Sequence, residues 1–200
     1  MVLKNDYPGH LILIVSVPGG GKSTLIKSLR DRYKDIKFAV SCTSRLPRPG
    51  EVDGDVYYFL SPEDFKVKID NKDFLEWIQQ DGGRYYGTLK SEIVDRIKEG
   101  EIVVREVEIR GVRSIRELIP KRSLSVIFIV PGSWDEVKNR MLKRAPMSNE
   151  ELLHRKLRFE DELKFAAEAD YVIKNPDGGL EEAKKELFRI VDSIISSNNT

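Results

Sequence analysis

A chain of 200 residues with 40% apolar and 34% charged side chains can bury a core and is too apolar to be disordered, so one domain with room for an inserted subdomain is expected. Its net charge of +1 argues against a dedicated nucleic-acid binder. Its one cysteine, Cys42, excludes a disulfide framework within the chain and fits a reducing compartment.

The first apolar run, "LILIVSV", is too short to span a bilayer and leads straight into glycines and a lysine, so it reads as neither membrane span nor signal peptide. A soluble, cytoplasmic protein is expected. Residues 11–15 predict a strand buried on both faces, as in a parallel sheet. "PGGGKST" follows, and then Leu25, Ile26 and Leu29 recur at helical spacing. "FAVSC" predicts a short strand, "SRLPRPGEVDGD" a loop and "VYYFL" another strand. Ser61-Pro62 opens a helix, with serine as cap and proline in the first turn. "FLEWIQ" predicts a strand and "GGRYYGT" a turn-rich segment. Residues 91–99 predict a short helix closed by Gly100.

"EIVVREVEI" predicts a central strand and "LSVIFIV" the next one. Ser133 caps a helix in "WDEVKNRMLKR", and Ser148 with Glu151 forms a capping box for a helix running to about residue 169. "YVIKN" predicts a last strand. A terminal helix begins near Leu180, with "SSNNT" frayed. Strands alternate with helices at both ends, so the fold class is α/β with a doubly wound parallel sheet. Residues 38–90 break the alternation and predict an inserted β-rich subdomain.

Strand, glycine loop and helix come in the order that a phosphate-binding loop, G-x-x-x-x-G-K-[ST], requires. Pro18, Gly19, Gly20, Gly21, Lys22, Ser23 and Thr24 form the candidate cradle. Backbone N–H groups of such a turn hold phosphate oxygens, and the helix points its positive end at the same place. Lys22 would add charge toward the β- and γ-phosphates, and Ser23 a hydroxyl toward Mg²⁺. Ser16 stands where the pattern has its first glycine. A left-handed serine there would cost about 1–2 kcal/mol, an extended one little.

The loop "SCTSRLPR" carries Ser41, Arg45 and Arg48. Two arginines on a segment stiffened by Pro47 suit a phosphate monoester, which guanidinium groups bind in forked pairs. On these residues alone a solvated basic loop fits as well. The stretches "SRLPRPGEVDGDVYYF", "FLEW" and "RYYGT" together resemble the guanylate kinase family, and the resemblance runs from the phosphate loop to "YVIKNPD", nearly the whole chain. That family transfers the γ-phosphoryl of ATP to GMP.

The resemblance implies a P-loop kinase core over 11–37 and 91–200, a GMP-binding subdomain over 38–90, and a helical lid over about 138–160. It implies ATP and GMP or dGMP as substrates, Mg²⁺ accompanying ATP, no nucleic-acid or membrane partner, and a monomer or homodimer. Arg45, Arg48, Tyr57 and Tyr86 would hold the GMP phosphate, although both tyrosines also fit core packing. Ser41, Glu76 and Thr88 would read the guanine. The chemistry agrees: guanine's N1–H and 2-amino group both donate to one carboxylate, whereas adenine presents an acceptor at N1. A site built this way rejects the wrong base by about 10⁴-fold or more.

The family's pair of aspartates is Glu106 and Glu108 here, and its glutamine is Arg110. By resemblance Glu106 would lie toward the Mg²⁺ and phosphates, and Glu108 toward the guanine; ordinary strand-end carboxylates are the other reading. Arg140, Arg144 and Arg155 would close over the transferring phosphoryl group, with Ala145-Pro146 in place of the family's glycine-containing lid loop. Asn175 matches a position near the adenine of ATP. Two further classes fit parts of the pattern: a non-catalytic phosphopeptide-binding module, and a related kinase acting on another phosphorylated acceptor. His10 and His154 have no metal-ligand company, and Cys42 has no base beside it.

Overall fold

A computed structural model of the chain describes residues 7–80, 82–143 and 145–198. The chain divides into two compact units. One comprises residues up to 11, 36–105 and 113–124; the other comprises 12–35, 106–112 and residues from 125 onward. Strands β1 (His10–Ser16), β2 (Lys37–Phe38), β7 (Ile102–Glu106), β8 (Leu124–Pro131) and β9 (Tyr171–Asn175) form a five-stranded sheet of order β2-β7-β1-β8-β9. β2 pairs parallel with β7, and β8 parallel with β9. The runs "LILIV" and "VIFI" are fully buried, as the sequence of a doubly wound sheet demands.

The second unit holds helices α1 (Lys22–Arg32), α5 (Trp134–Leu142), α6 (Asn149–Leu163) and α7 (Leu180–Asn198). α7 buries Leu187, Ile190, Val191 and Ile194 along one stripe, and α1 buries Leu25 and Leu29. Ser133 and Ser148 accept hydrogen bonds from the backbone N–H of Glu136 and Glu151, and at Ser148 the capping box is complete. α6 stops at Leu163 and a 3₁₀ turn carries the chain to Ala167, earlier than the periodicity predicts. α7, by contrast, runs on through Ser196 and Ser197, which bond back to the carbonyls of Asp192 and Ser193.

The first unit contains a four-stranded mixed sheet. Strands β3 (Ser41–Thr43), β4 (Tyr57–Phe59), β5 (Phe74–Gln79) and β6 (Tyr85–Leu89) take the order β4-β3-β6-β5. Helix α2 (Pro62–Asp70) starts at Ser61, whose side chain accepts from the N–H of Asp64. Phe65, fully buried, stacks on Phe74 at 4.3 Å and on Tyr85 at 5.2 Å.

Three further expectations are corrected. "FAVSC" is not one strand: β2 pairs with β7, the chain turns at Ala39 and Val40, and β3 joins the other sheet. "GGRYYGT" is mostly strand β6. Gly87 there marks close approach rather than a turn, since a Cβ would stand 2.9 Å from the Phe74 ring and 3.0 Å from the Glu76 carbonyl oxygen. "EIVVREVEI" leaves the sheet after Glu106, and helix α4 (Ile109–Leu118) takes over. Residues 91–99 are helical as expected, but as a π-turn, Ser91–Asp95, leading into α3 (Arg96–Lys98).

Phe65→Ala should cost about 3–5 kcal/mol, because a fully buried ring is lost and both stacked neighbours lose their partner. Urea unfolding of the purified variant measures this, and a loss under about 1 kcal/mol would mean that the cluster is not a core.

Candidate active site

In the second unit, β1 ends at Ser16 and α1 begins at Lys22. Gly19 and Gly21 adopt φ of 82° and 84°, the left-handed region. A side chain at Gly21 would collide with the amide of Asn175. α1 has no side-chain cap and no acid in its first turn. The N–H groups of Lys22 and Ser23 are therefore left for an anion, while that of Thr24 turns back to the Gly21 carbonyl. Lys22 Nζ lies 3.1 Å from Glu106 Oε1.

Ser16 is at ease. Among the described residues Lys72 is the one non-glycine with positive φ, so Ser16 carries no left-handed strain. Its hydroxyl donates to the carbonyl of Val17 at 2.9 Å. A Cβ on Gly20 would come within 3.0 Å of that hydroxyl, so the bulk allowed at position 16 is withheld at position 20.

The loop is braced by two predicted site residues. Asn175, 4% exposed, donates its amide to the Gly20 carbonyl at 2.9 Å. Arg140 donates to the carbonyls of Gly19 at 3.0 Å and Asn175 at 3.2 Å, and to Asp177 at 2.8 Å. Arg155 is exposed on α6 and lines a cavity of about 340 Å³ with Pro18, Trp134, Val137, Met141 and Phe159. Glu108 is exposed and helps hold the charge of Arg158. Arg144 lies outside the described residues.

In the first unit, the mixed sheet gathers the other predicted residues into two clusters. Register places Glu76 opposite Thr88, Ser41 opposite Tyr57 and Thr43 opposite Tyr86. In one cluster the Thr88 hydroxyl donates to Glu76 Oε1 at 2.6 Å. Arg105 donates to the same oxygen at 3.3 Å and to Ser41 Oγ at 2.5 Å. Arg105 is a site residue that the sequence reading missed. Its signal was there: an arginine inside the buried strand "IVVRE" needs a partner.

In the other cluster Arg45 forks onto Glu51, with Nη–Oε distances of 2.7 and 2.9 Å. Its guanidinium lies 5.3 Å from the Tyr57 ring centre. Tyr57 meets Tyr86 edge-on at 6.0 Å. Arg48 donates its backbone N–H to Glu51, while its side chain is exposed. Arg45, joined by that N–H, holds the Glu51 carboxyl down at about 2. Burial pushes the Cys42 thiol up to about 11, so it is no nucleophile near neutral pH.

Among the described residues no three His, Cys, Asp or Glu side chains gather into a metal cluster. Glu106, half exposed, and the exposed Ser23 offer one or two oxygen ligands. That number fits Mg²⁺, which takes most of its ligands from substrate phosphates and water.

A parallel sheet feeding a glycine cradle, a lysine and a helix start defines a P-loop kinase fold. The guanylate kinase family profile matches residues 9–194. A guanylate kinase from Prochlorococcus marinus is 42% identical over 92% of this chain and 97% of its own length. One from Thermosynechococcus vestitus is 40% identical over 98% of each chain. The solved guanylate kinase of Anaplasma phagocytophilum shares the fold, with a TM-score of 0.68 at 23% identity, covering 98% of this chain and 89% of that one. The chain belongs to the guanylate kinase family.

Ser16→Gly should leave kcat and KM within about threefold of the parent, because nothing at position 16 needs a left-handed backbone. A rise in activity by orders of magnitude would show that the serine had disabled the loop. Glu51→Gln tests the other cluster. A carboxyl depressed in the fold stabilises above its unfolded value of 4.5, and that stability is lost as pH falls toward about 2. Thermal melts of parent and variant should therefore differ most at pH 6 and converge as pH falls below about 4. A constant difference across that range would rule out the ionised pair.

Proposed function

We propose that this chain transfers the γ-phosphoryl group of ATP to GMP, giving ADP and GDP. The observation that carries the reading is Glu76. Its Oε1 already receives Thr88 and Arg105, while Oε2 makes no hydrogen bond among the described residues. An ionised carboxylate with one oxygen open takes guanine's N1–H and 2-amino donors and opposes adenine's N1 acceptor. Residues 38–90 serve as the GMP-binding subdomain, and about 138–160 as the lid.

Arg45, Arg48, Tyr57 and Tyr86 grip the GMP phosphate, which takes the place of the Glu51 carboxylate on the Arg45 fork. The glycine loop and the start of α1 receive the ATP phosphates, and Lys22 exchanges Glu106 for phosphate oxygens. Ser23, with Glu106, would hold Mg²⁺, which would offset the negative charge of the ATP phosphates. No general base is required, because the attacking phosphate oxygen is already ionised at neutral pH. Catalysis rests on positioning and charge neutralisation, with Arg155 and Arg144 added as the lid closes. Arg140 and Asn175 act on the ATP side by fixing the carbonyls of Gly19 and Gly20. A phosphopeptide-binding module would have no use for a glycine cradle with its lysine.

A coupled assay with ATP and either GMP or AMP tests the proposal: turnover with GMP should exceed that with AMP by about 10⁴-fold. Equal rates, or none with GMP, would overturn it. Lys22→Met should lower kcat by about a hundred- to a thousandfold. Its melting temperature should hold, because the Lys22–Glu106 pair is partly solvated and contributes little. Near-parental turnover in that variant would displace Lys22 from the site.

A further inference from the structure

We infer that Arg105, a residue of the buried strand β7, sets the donor and acceptor pattern by which the pocket tells guanine from adenine. The inference rests on the proposed GMP reading and deepens it. Arg105 acts as a positioning residue, through Ser41 and Glu76.

Arginine has donors and no acceptor. Arg105 Nη1 donates to Ser41 Oγ, so the Ser41 hydroxyl cannot donate back along that line. Its proton must point elsewhere and is free for an acceptor on the ligand. Arg105 Nη2 donates to Glu76 Oε1, which also receives the Thr88 hydroxyl. Two donors on one oxygen hold the carboxylate in place and leave its second oxygen to accept. The pocket thus presents one hydroxyl that donates and one carboxylate that accepts. Guanine offers the complement, an acceptor at O6 beside donors at N1 and the 2-amino group. Adenine offers the reverse, a donor at the 6-amino group beside an acceptor at N1.

Burial strengthens the case. The Arg105 and Glu76 side chains are 8% and 15% exposed. A pair so deep repays little of its desolvation, and apolar side chains of like volume often stabilise as well or better. Stability alone gives a weak reason for an arginine inside "IVVRE". A fixed hydrogen-bond direction gives a stronger one.

Arg105→Gln and Arg105→Lys separate direction from packing. Glutamine is shorter and uncharged, keeps a donor and adds an acceptor, so the Ser41 hydroxyl can turn toward it. Lysine keeps a donor-only cation. Arg105→Gln should raise KM for GMP by about ten- to a hundredfold, the range for one hydrogen bond to a charged group. It should also lower the GMP-over-AMP ratio of kcat/KM, with kcat and KM for ATP within about twofold. Arg105→Lys should recover part of the GMP KM and of the base preference. Adding Ser41→Ala to Arg105→Gln should cost less than the sum of the two single effects.

An unchanged GMP KM in folded Arg105→Gln would overturn the inference, as would an equal rise in KM for ATP or a lysine variant no better than glutamine. If Arg105→Gln does not fold, Arg105→Lys decides: a GMP-specific KM increase supports the role, and parental constants refute it. A parent enzyme inactive on GMP would instead sink the functional reading itself.

Discussion

Phosphate binding requires donors that the folded chain leaves unused until the ligand arrives, and the start of α1 meets this requirement by omission. Ser61, Ser133 and Ser148 each close a helix start with a side-chain oxygen. Gly21 offers no side-chain oxygen, and no acid stands in the first turn of α1. Glycine in place of a capping serine costs only about a few tenths of a kcal/mol, a small loss accepted at one helix only among these four. The loop also needs residues with little shape of their own, which is a liability in a site that must be rigid. Asn175 and Arg140 answer it from outside, tying down the carbonyls of Gly20 and Gly19. Their hydrogen bonds take the acceptor side of the loop and leave its N–H side open.

Under the proposed reading, the mixed sheet of the first unit solves a different problem. Base recognition needs buried polar groups, and each must be satisfied without losing its direction. Cross-strand pairing supplies the first constraint, since Glu76 and Thr88 face each other across β5 and β6. Arg105 supplies the second, from a strand far away in sequence. Under the proposed reading, affinity comes from the phosphate cluster around Arg45, and selectivity from the buried cluster around Arg105.

Much of this was legible from local pattern. The strand, glycine loop and helix could be read because each follows its own periodicity, and the serine caps because their spacing is short-range. What escaped was tertiary. β6 hid behind Gly87, whose reason is the ring of Phe74 across the sheet. "FAVSC" concealed a passage between two sheets that no residue within it announces. Arg105 was passed over for Glu106 and Glu108, because its partners Ser41 and Glu76 lie 64 and 29 positions away. Glu51 was not singled out within its loop, although its spacing from Arg45 and Arg48 is local and its carboxylate takes the Arg45 fork that suits a phosphate.

That likeness extends to the other cations. Lys22 holds Glu106, Arg45 holds Glu51, and Arg140 holds Asp177. A chain of net charge +1 that binds two polyanions must concentrate positive charge locally without letting it repel itself when empty. At Lys22–Glu106 and Arg140–Asp177, where the carboxylate is half exposed or more, this comes at small net energy, since such pairs are weak. Weakness is what the function needs: a phosphate, with more charge and more acceptor oxygens, can displace Glu106 from Lys22 where a buried pair would resist. Glu106 shows how this works: from the end of β7 it reaches Lys22 Nζ at 3.1 Å while its carboxylate stays half in solvent, and under the proposed reading it would give up the lysine to the ATP phosphates and take a cation.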